Sequence, residues 1–96
     1  MNSAEAAERG GDLERARAEY LRAATYNQAG AAGKAEQLGR QLVTRYSLGA
    51  RTAFAKQDLD GAIREWDRVL GIDPAHETAK LERQRAVVLK DKVKKL

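Results

Sequence analysis

The fold is decided by residues 53–74, which read AFAKQDLDGAIREWDRVLGIDP. Apolar side chains recur in this stretch every three or four positions, which is the period of one face of an amphipathic α-helix. Asp58 is typical of a helix N-cap, and Pro74 cannot continue a helix that precedes it. The stretch therefore predicts a helix over about residues 59–71, with a tight turn at Gln57-Asp58 before it.

The pattern of this stretch occurs a second time, 46 positions earlier in the chain. Residues 12–28 and 58–74 align as two copies, and both begin with Asp-Leu. Tyr20 aligns with Trp66, and the residue four positions before each aromatic is alanine in both copies. A self-similar period of this size is typical of arrays of helical hairpins, in which each hairpin buries its apolar stripe against the next.

The remaining helices follow from the same periodicity, and we expect five helices and no strand. In addition to the helix of residues 59–71, they are predicted over about residues 3–9, 12–26, 34–56 and 74–95. Asp12 is the expected N-cap of the second helix, and Asp73 is that of the last helix. Residues 27–33 are the expected loop, because they include two glycines and no large apolar residue.

At these residues the chain resembles a tetratricopeptide-repeat (TPR) protein. The resemblance is strongest over residues 43–76, whose Asp-Leu-x-x-Ala…Trp…Asp-Pro series matches the family's second helix and terminal proline. It implies an all-α fold in which antiparallel helical hairpins stack as a right-handed superhelix. Two features depart from the family. The period exceeds about 34 residues, and Leu48 and Gly49 are displaced by one from the usual bulky-small pair. HEAT-like arrays, with periods of about 40–47 residues, are the structural alternative.

We interpret residues 1–96 as a single TPR-like domain. Its expected segments are a degenerate first repeat at 1–28, a loop and helix extension at 29–42, the best repeat at 43–76 and a basic C-terminal helix at 77–96. A helical-repeat array ordinarily needs about three repeats for stability. We therefore expect that the chain either belongs to a larger protein or self-associates.

The resemblance also implies a binding surface, the concave face lined by the first helix of each hairpin. Carried onto this chain, the face would comprise Thr44, Ser47, Arg51, Phe54 and Ala55, and the last helix would add Leu81, Arg85 and Val88. The expected ligand is a peptide or a helix of another protein. A second copy of the chain and a neighbouring domain are alternative occupants. Arg51 is an expected anchor, because a guanidinium holds a carboxylate through two hydrogen bonds.

The last helix carries two apolar stripes. One stripe is predicted to pack on the preceding hairpin and comprises Ala75, Ala79, Ala86 and Val93. The other comprises Leu81, Val88 and Leu89, with Arg85 between them, and predicts a face for a partner.

Positive charge is concentrated at the C-terminal end of the chain, whose net charge is +4. Residues 79–96 hold seven Lys or Arg against two Asp or Glu, whereas residues 1–78 hold eleven against twelve. The alternative function is therefore electrostatic binding of Lys90 to Lys95 to nucleic acid or an anionic surface. No aromatic residue is interleaved with these lysines, so we expect a protein partner instead.

No residue pattern predicts catalysis, a cofactor or a metal site. The chain has no cysteine, and its one histidine, His76, lacks partners at ligand spacing and is expected at the surface in a first helical turn. Trp66 is expected in the core beside Ile63 and Leu70. No apolar run approaches the ~20 residues that span a bilayer. The composition fits the cytoplasm or a fragment of a bacterial envelope protein.

Overall fold

The computed structural model describes residues 11–26 and 29–95, and the chain is all-α within these ranges. Four helices follow one another: α1 (Leu13–Thr25), α2 (Ala31–Ala55), α3 (Leu59–Ile72) and α4 (Glu77–Lys94). No strand occurs in these ranges, which confirms the predicted all-α class for them. The helical piece predicted at residues 3–9 lies outside the described residues.

The chain divides into two compact units, residues 1–42 and residues 43–96. We call them the N-terminal unit and the C-terminal unit. The N-terminal unit contains α1 and the first part of α2. The C-terminal unit contains the rest of α2 together with α3 and α4, and all the candidate binding residues lie in it.

Aspartate N-caps begin α1 and α3, as the sequence predicts. The Asp12 Oδ1 atom accepts a hydrogen bond from the backbone N–H of Arg15 at 3.0 Å, and Asp58 Oδ1 accepts one from Gly61 at 2.9 Å. Each cap satisfies a backbone donor that has no partner inside its own helix. The two aligned copies of the sequence pattern therefore start their helices in the same way.

The turn between α2 and α3 is a Schellman motif that runs directly into the Asp58 cap. Gln57 has a left-handed backbone with a φ of 63°. Its N–H donates to the Phe54 carbonyl at 2.9 Å, and the N–H of Asp58 donates to the Ala53 carbonyl at 2.8 Å. These two bonds satisfy two of the last carbonyls of α2, those of Ala53 and Phe54. The predicted tight turn at Gln57-Asp58 is confirmed.

The predicted loop at residues 27–33 was too long, because α2 begins at Ala31. Gly30 has a φ of 78°, and its carbonyl accepts the N–H of Lys34 at 3.0 Å. Ala31 is fully buried, and Ala35 is almost fully buried one turn later. The burial of these two alanines on one face favours helix, even though Gly33 in the first turn has a low helix propensity.

The start predicted for the last helix is wrong, because α4 begins at Glu77 and its N-cap is His76. The His76 Nδ1 atom accepts the N–H of Ala79 at 3.1 Å. Asp73 closes the preceding turn instead: its Oδ1 accepts the N–H of Ala75 at 3.2 Å, and its carbonyl accepts that of His76 at 3.1 Å. An Asp side chain accepts hydrogen bonds in turns as readily as at helix N-caps, so the sequence around Asp73 did not distinguish the two roles.

Each unit has a small, alanine-rich core. The core of the N-terminal unit consists of Ala16, Tyr20, Ala23, Ala31, Ala35 and Leu38. Buried side chains of the C-terminal unit include Tyr46, Ala50, Ala62, Trp66, Val69, Ala79 and Ala86. Trp66 is 2% exposed, which confirms its predicted place in the core. Alanines without any exposed surface let helix backbones approach closely around this large indole.

Candidate functional site

Two ion pairs link the antiparallel helices α3 and α4. The Asp60 carboxylate contacts the Lys90 ammonium at 2.6 Å, and Asp67 pairs with the Nε of Arg83. The two acids lie seven residues apart on α3, and their partners lie seven residues apart in the reverse order on α4. Both pairs therefore specify one register of the two helices. The ammonium of Lys90 lowers the pKa of Asp60, first through its hydrogen bond and then through its charge.

The contact between α2 and α3 is built around Gly49. A Cβ atom at this position would lie 2.9 Å from Oε2 of Glu65, so the glycine leaves room for that carboxylate. Glu65 in turn holds Arg68 at 2.7 Å, and the Arg68 guanidinium lies 5.7 Å from the centroid of the Tyr46 ring. The space beside Gly49, the displaced small residue noted in the sequence, is thus occupied by the acidic side chain of Glu65 from α3.

The outer face of α4 is apolar at its centre. Ala79 and Ala86 are fully buried on the side that packs on α3, whereas Leu81 is 52% exposed and Val88 is 41% exposed. The stripe predicted for packing is shorter than expected, because Ala75 is exposed before the helix begins and Val93 is 56% exposed near its end.

A shallow groove of about 250 Å³ runs along this outer face. Its lining residues are Leu81, Gln84, Arg85, Val88, Leu89 and Lys92. Three of the residues predicted for partner binding, Leu81, Arg85 and Val88, therefore lie together on one surface. We call this surface the α4 groove.

A second depression, of about 140 Å³, lies where α2 meets α3 and α4. It is lined by Ala50, Arg51, Phe54, Ala55, Trp66 and Glu82, and we call it the Arg51 slot. Arg51, Phe54 and Ala55 were predicted from the sequence. Glu82 was missed because it reaches the slot from another helix, which no spacing along α2 could indicate.

The structure does not bring Thr44 and Ser47 into the Arg51 slot or the α4 groove. Thr44 is exposed one turn or more from the slot residues. Ser47 is only 8% exposed, so it offers little surface to a partner. It lies three positions before the fully buried Ala50 and therefore on the buried side of α2.

The ion pairs change how the basic C-terminal segment presents its charge. Arg83 and Lys90 are paired with α3, and Arg85 contacts Glu82 at 2.8 Å along its own helix. Within the described part of the chain, Lys92 has no ion-pair partner and lies in the α4 groove. The positive charge available to a ligand is therefore centred on the groove and the following lysines.

Among residues 11–26 and 29–95, no three His, Asp or Glu side chains lie together so as to hold a metal ion. In the same ranges, none of the helices has both the length and the apolar character needed to cross a membrane. Comparison of the chain with protein-family models, with curated proteins and with solved structures finds no match in any of the three.

Proposed function

We propose that the chain is a protein–protein interaction module of TPR-like architecture, a scaffold or adaptor that binds a helix or peptide of another protein. The proposed architecture is a right-handed superhelix of stacked hairpins, with residues 3–9 as a fifth helix. The equivalent caps of Asp12 and Asp58 support it. So does the equivalent burial of Tyr20 and Trp66, the aligned aromatic residues of the two copies.

The observation that carries the proposed binding function is the exposure of Leu81, Val88 and Leu89 along the α4 groove. Scattered apolar residues at a surface are ordinary, but an aligned apolar stripe on a formed helix is typical of a surface that a partner covers. The polar and charged side chains of Gln84, Arg85 and Lys92 border the stripe, as the rim of a binding surface does.

The Arg51 slot supplies a second contact in this proposal. Phe54 and the floor formed by Trp66 give it an apolar base, and Arg51 and Glu82 bring opposite charges to its lining. Arg51 forms no ion pair with any residue that the structure describes, so its guanidinium is available to a carboxylate of the partner.

Binding of nucleic acid or an anionic surface is the alternative function, and Lys92 with the lysines after it is the feature that favours it. Lys90 and Arg83 would contribute little to binding of an anionic ligand, because both already pair with aspartates of α3. Each cation that contacts phosphate contributes to affinity through the release of counterions, so fewer available cations mean weaker binding.

The test is affinity capture with the whole chain and two variants, Leu81→Asp in the α4 groove and Arg51→Glu in the slot. We expect Leu81→Asp to lose the partners that the unmodified chain retains, and Arg51→Glu to weaken their capture. Lys80→Glu is the matched control, because Lys80 is exposed on α4 but does not line the groove. Retention of the same partners by both variants would show that these surfaces do not bind them.

A further inference from the structure

The α4 groove combines apolar and positively charged side chains in a regular series. Leu81, Arg85, Val88 and Lys92 succeed one another at intervals of four, three and four residues, so they share one face of the helix. The series extends about 16 Å along the helix axis at 1.5 Å per residue. No acidic residue is among the described residues that line the groove. The groove thus presents an apolar stripe together with positive charge only, from Arg85 and Lys92.

Glu82 does not cancel this positive character. It holds Arg85 at 2.8 Å from the flank of the helix, and it lines the Arg51 slot rather than the α4 groove. A pair between exposed side chains one turn apart is weak, so Arg85 remains able to contact a second carboxylate. Lys92 brings a charge about 10 Å further along the axis.

A second copy of the chain fits this surface poorly. Two α4 helices packed in parallel through this face would bring Arg85 and Lys92 of one copy against the same residues of the other. In an antiparallel pair centred on the series, these cations would face Val88 and Leu81, and no lining residue would supply a carboxylate. Like charges at a contact from which water is partly excluded repel each other more strongly than they do in water. The charge pattern therefore favours a different partner over self-association through α4.

The apolar lining of the groove also favours a helix over an extended peptide as the occupant. An extended peptide needs partners for its backbone N–H and carbonyl groups, and Gln84 is the lining residue with an uncharged polar side chain. A helix satisfies its own backbone groups and presents apolar residues every three or four positions. Two successive steps of that spacing cover the seven residues that separate Leu81 from Val88.

We propose that the α4 groove binds an acidic amphipathic helix, and this inference rests on the proposed function. The bound helix places apolar residues with a spacing of i, i+3 or i+4 and i+7 against Leu81, Val88 and Leu89. Asp or Glu residues at the edges of its apolar stripe face Arg85 and Lys92. The carboxylates select the partner, while the buried apolar surface supplies most of the affinity.

Three synthetic helical peptides of about 20 residues test the inference, with the same leucines but with Glu, Gln or Lys at the stripe edges. A side-chain crosslink on the far face keeps their helix contents equal. Fluorescence anisotropy at about 150 mM salt measures binding to the whole chain. We expect the Glu peptide to bind at least about tenfold more tightly than the Lys peptide, since attraction becomes repulsion at two positions. The Gln peptide should lie between them.

Variants of the chain show whether the groove is responsible. Lys92→Glu should weaken binding of the Glu peptide by about threefold or more and strengthen binding of the Lys peptide. Lys80→Glu makes the same change of charge outside the groove and should leave both affinities within about twofold. Lys92 is preferred to Arg85 for this test, because replacing Arg85 also disturbs its pair with Glu82.

The outcomes separate this inference from the function on which it rests. Equal binding of all three peptides, lost in Leu81→Asp, would overturn the acidic partner and leave the binding module in place. Tighter binding of the Lys peptide would also overturn the acidic partner. Failure of every peptide to bind at about 1 mM would overturn both the acidic helix and the α4 groove as a binding surface.

Discussion

Gln57 adopts a backbone conformation that most side chains avoid. Among the described residues it is the non-glycine residue with a positive φ, at 63°, and it occupies the position of the Schellman motif where glycine is usual. The Cβ atom of an L-residue costs about 1 kcal/mol in this region. The turn nevertheless forms, because its two hydrogen bonds end α2 immediately before Asp58 begins α3.

Replacing Gln57 by glycine should therefore stabilise the chain. We expect Gln57→Gly to raise the free energy of unfolding by about 0.5–1 kcal/mol, because glycine adopts the left-handed conformation without strain. Urea unfolding followed by circular dichroism measures the change. Gln57→Ala is the control, since it removes the same side chain but keeps the Cβ atom. Equal stability of both variants would show that the turn is not strained.

The His76 cap gives a second expectation at the level of one residue. His76→Ala should lower the free energy of unfolding by about 1 kcal/mol, because the N–H of Ala79 loses its acceptor. His76→Asn should keep most of the stability, since an asparagine oxygen accepts the same bond. Amide hydrogen exchange at Ala79 is the direct measurement. Unchanged protection in the alanine variant would contradict the cap.

Single residues also show where sequence reading succeeded and where it failed. Asp12 and Asp58 were identified as caps because each directly precedes a periodic apolar run. The cap of α4 was assigned to Asp73, since both aspartate and proline near it are typical of a helix start. Histidine is a rarer cap, and only the geometry around His76 shows that its Nδ1 accepts the bond.

At the scale of helices, the register of α3 and α4 depends on exposed charge. The lowered pKa of Asp60 means that its pair with Lys90 contributes stability above the ordinary aspartate value of 3.8. That contribution is lost as the pH falls through the lowered pKa of the folded state. The Asp60 side chain is 64% exposed, so the contribution is small and screened by salt.

Removing the Asp60 carboxylate should therefore lower the stability of the chain at neutral pH but not in strong acid. We expect Asp60→Asn to unfold at a lower urea concentration than the unmodified chain at pH 7, with the difference vanishing below the lowered pKa. Asp91→Asn is the matched control, because it removes an exposed carboxylate of α4 that forms no interhelical pair. A difference between Asp60→Asn and the unmodified chain that persists unchanged in acid would contradict the ion pair.

The helices were predicted from the sequence, but the ion pairs between α3 and α4 were missed. Each helix follows from apolar residues at intervals of three or four, and such a pattern is local in sequence. Asp60 and Lys90 are thirty positions apart, so periodicity along one helix does not connect them. A usable signal did exist: acids seven apart on one helix and bases seven apart on the next predict two matched contacts in an antiparallel hairpin.

The distribution of charge over the whole molecule bears on the alternative function. The chain carries a net +4, but Arg83 and Lys90 of its basic C-terminal helix pair with aspartates of α3. We expect weak binding to a labelled DNA duplex at about 50 mM salt and none detectable at about 200 mM, because few phosphate contacts are available. Fluorescence anisotropy over a salt series measures this. Binding that survives at the higher salt would favour the nucleic-acid function.

The fold of the molecule was more predictable than its binding surface. Helices need only local periodicity, so their number and order in the described ranges agree with the sequence. A surface depends on side chains from several helices. The predicted face is divided between the α4 groove and the Arg51 slot, Ser47 is buried, and Glu82, Gln84 and Lys92 join from α4. These contributions require the packing of α4, which spacing along the chain does not specify.

The paired charges of α3 and α4 also discriminate between correct and incorrect hairpins while the chain folds. Sliding α4 by one turn, about 5.4 Å, would carry Lys90 away from Asp60. One turn towards the C-terminal end of α3, Lys90 would face Arg64, another cation. One turn the other way, it would lie beyond Leu59, where α3 begins, and lose its carboxylate. These surface pairs add little to the stability of the folded chain, but they raise the free energy of the hairpins that are misaligned by one turn. The alanine stripes alone would oppose such a shift only weakly.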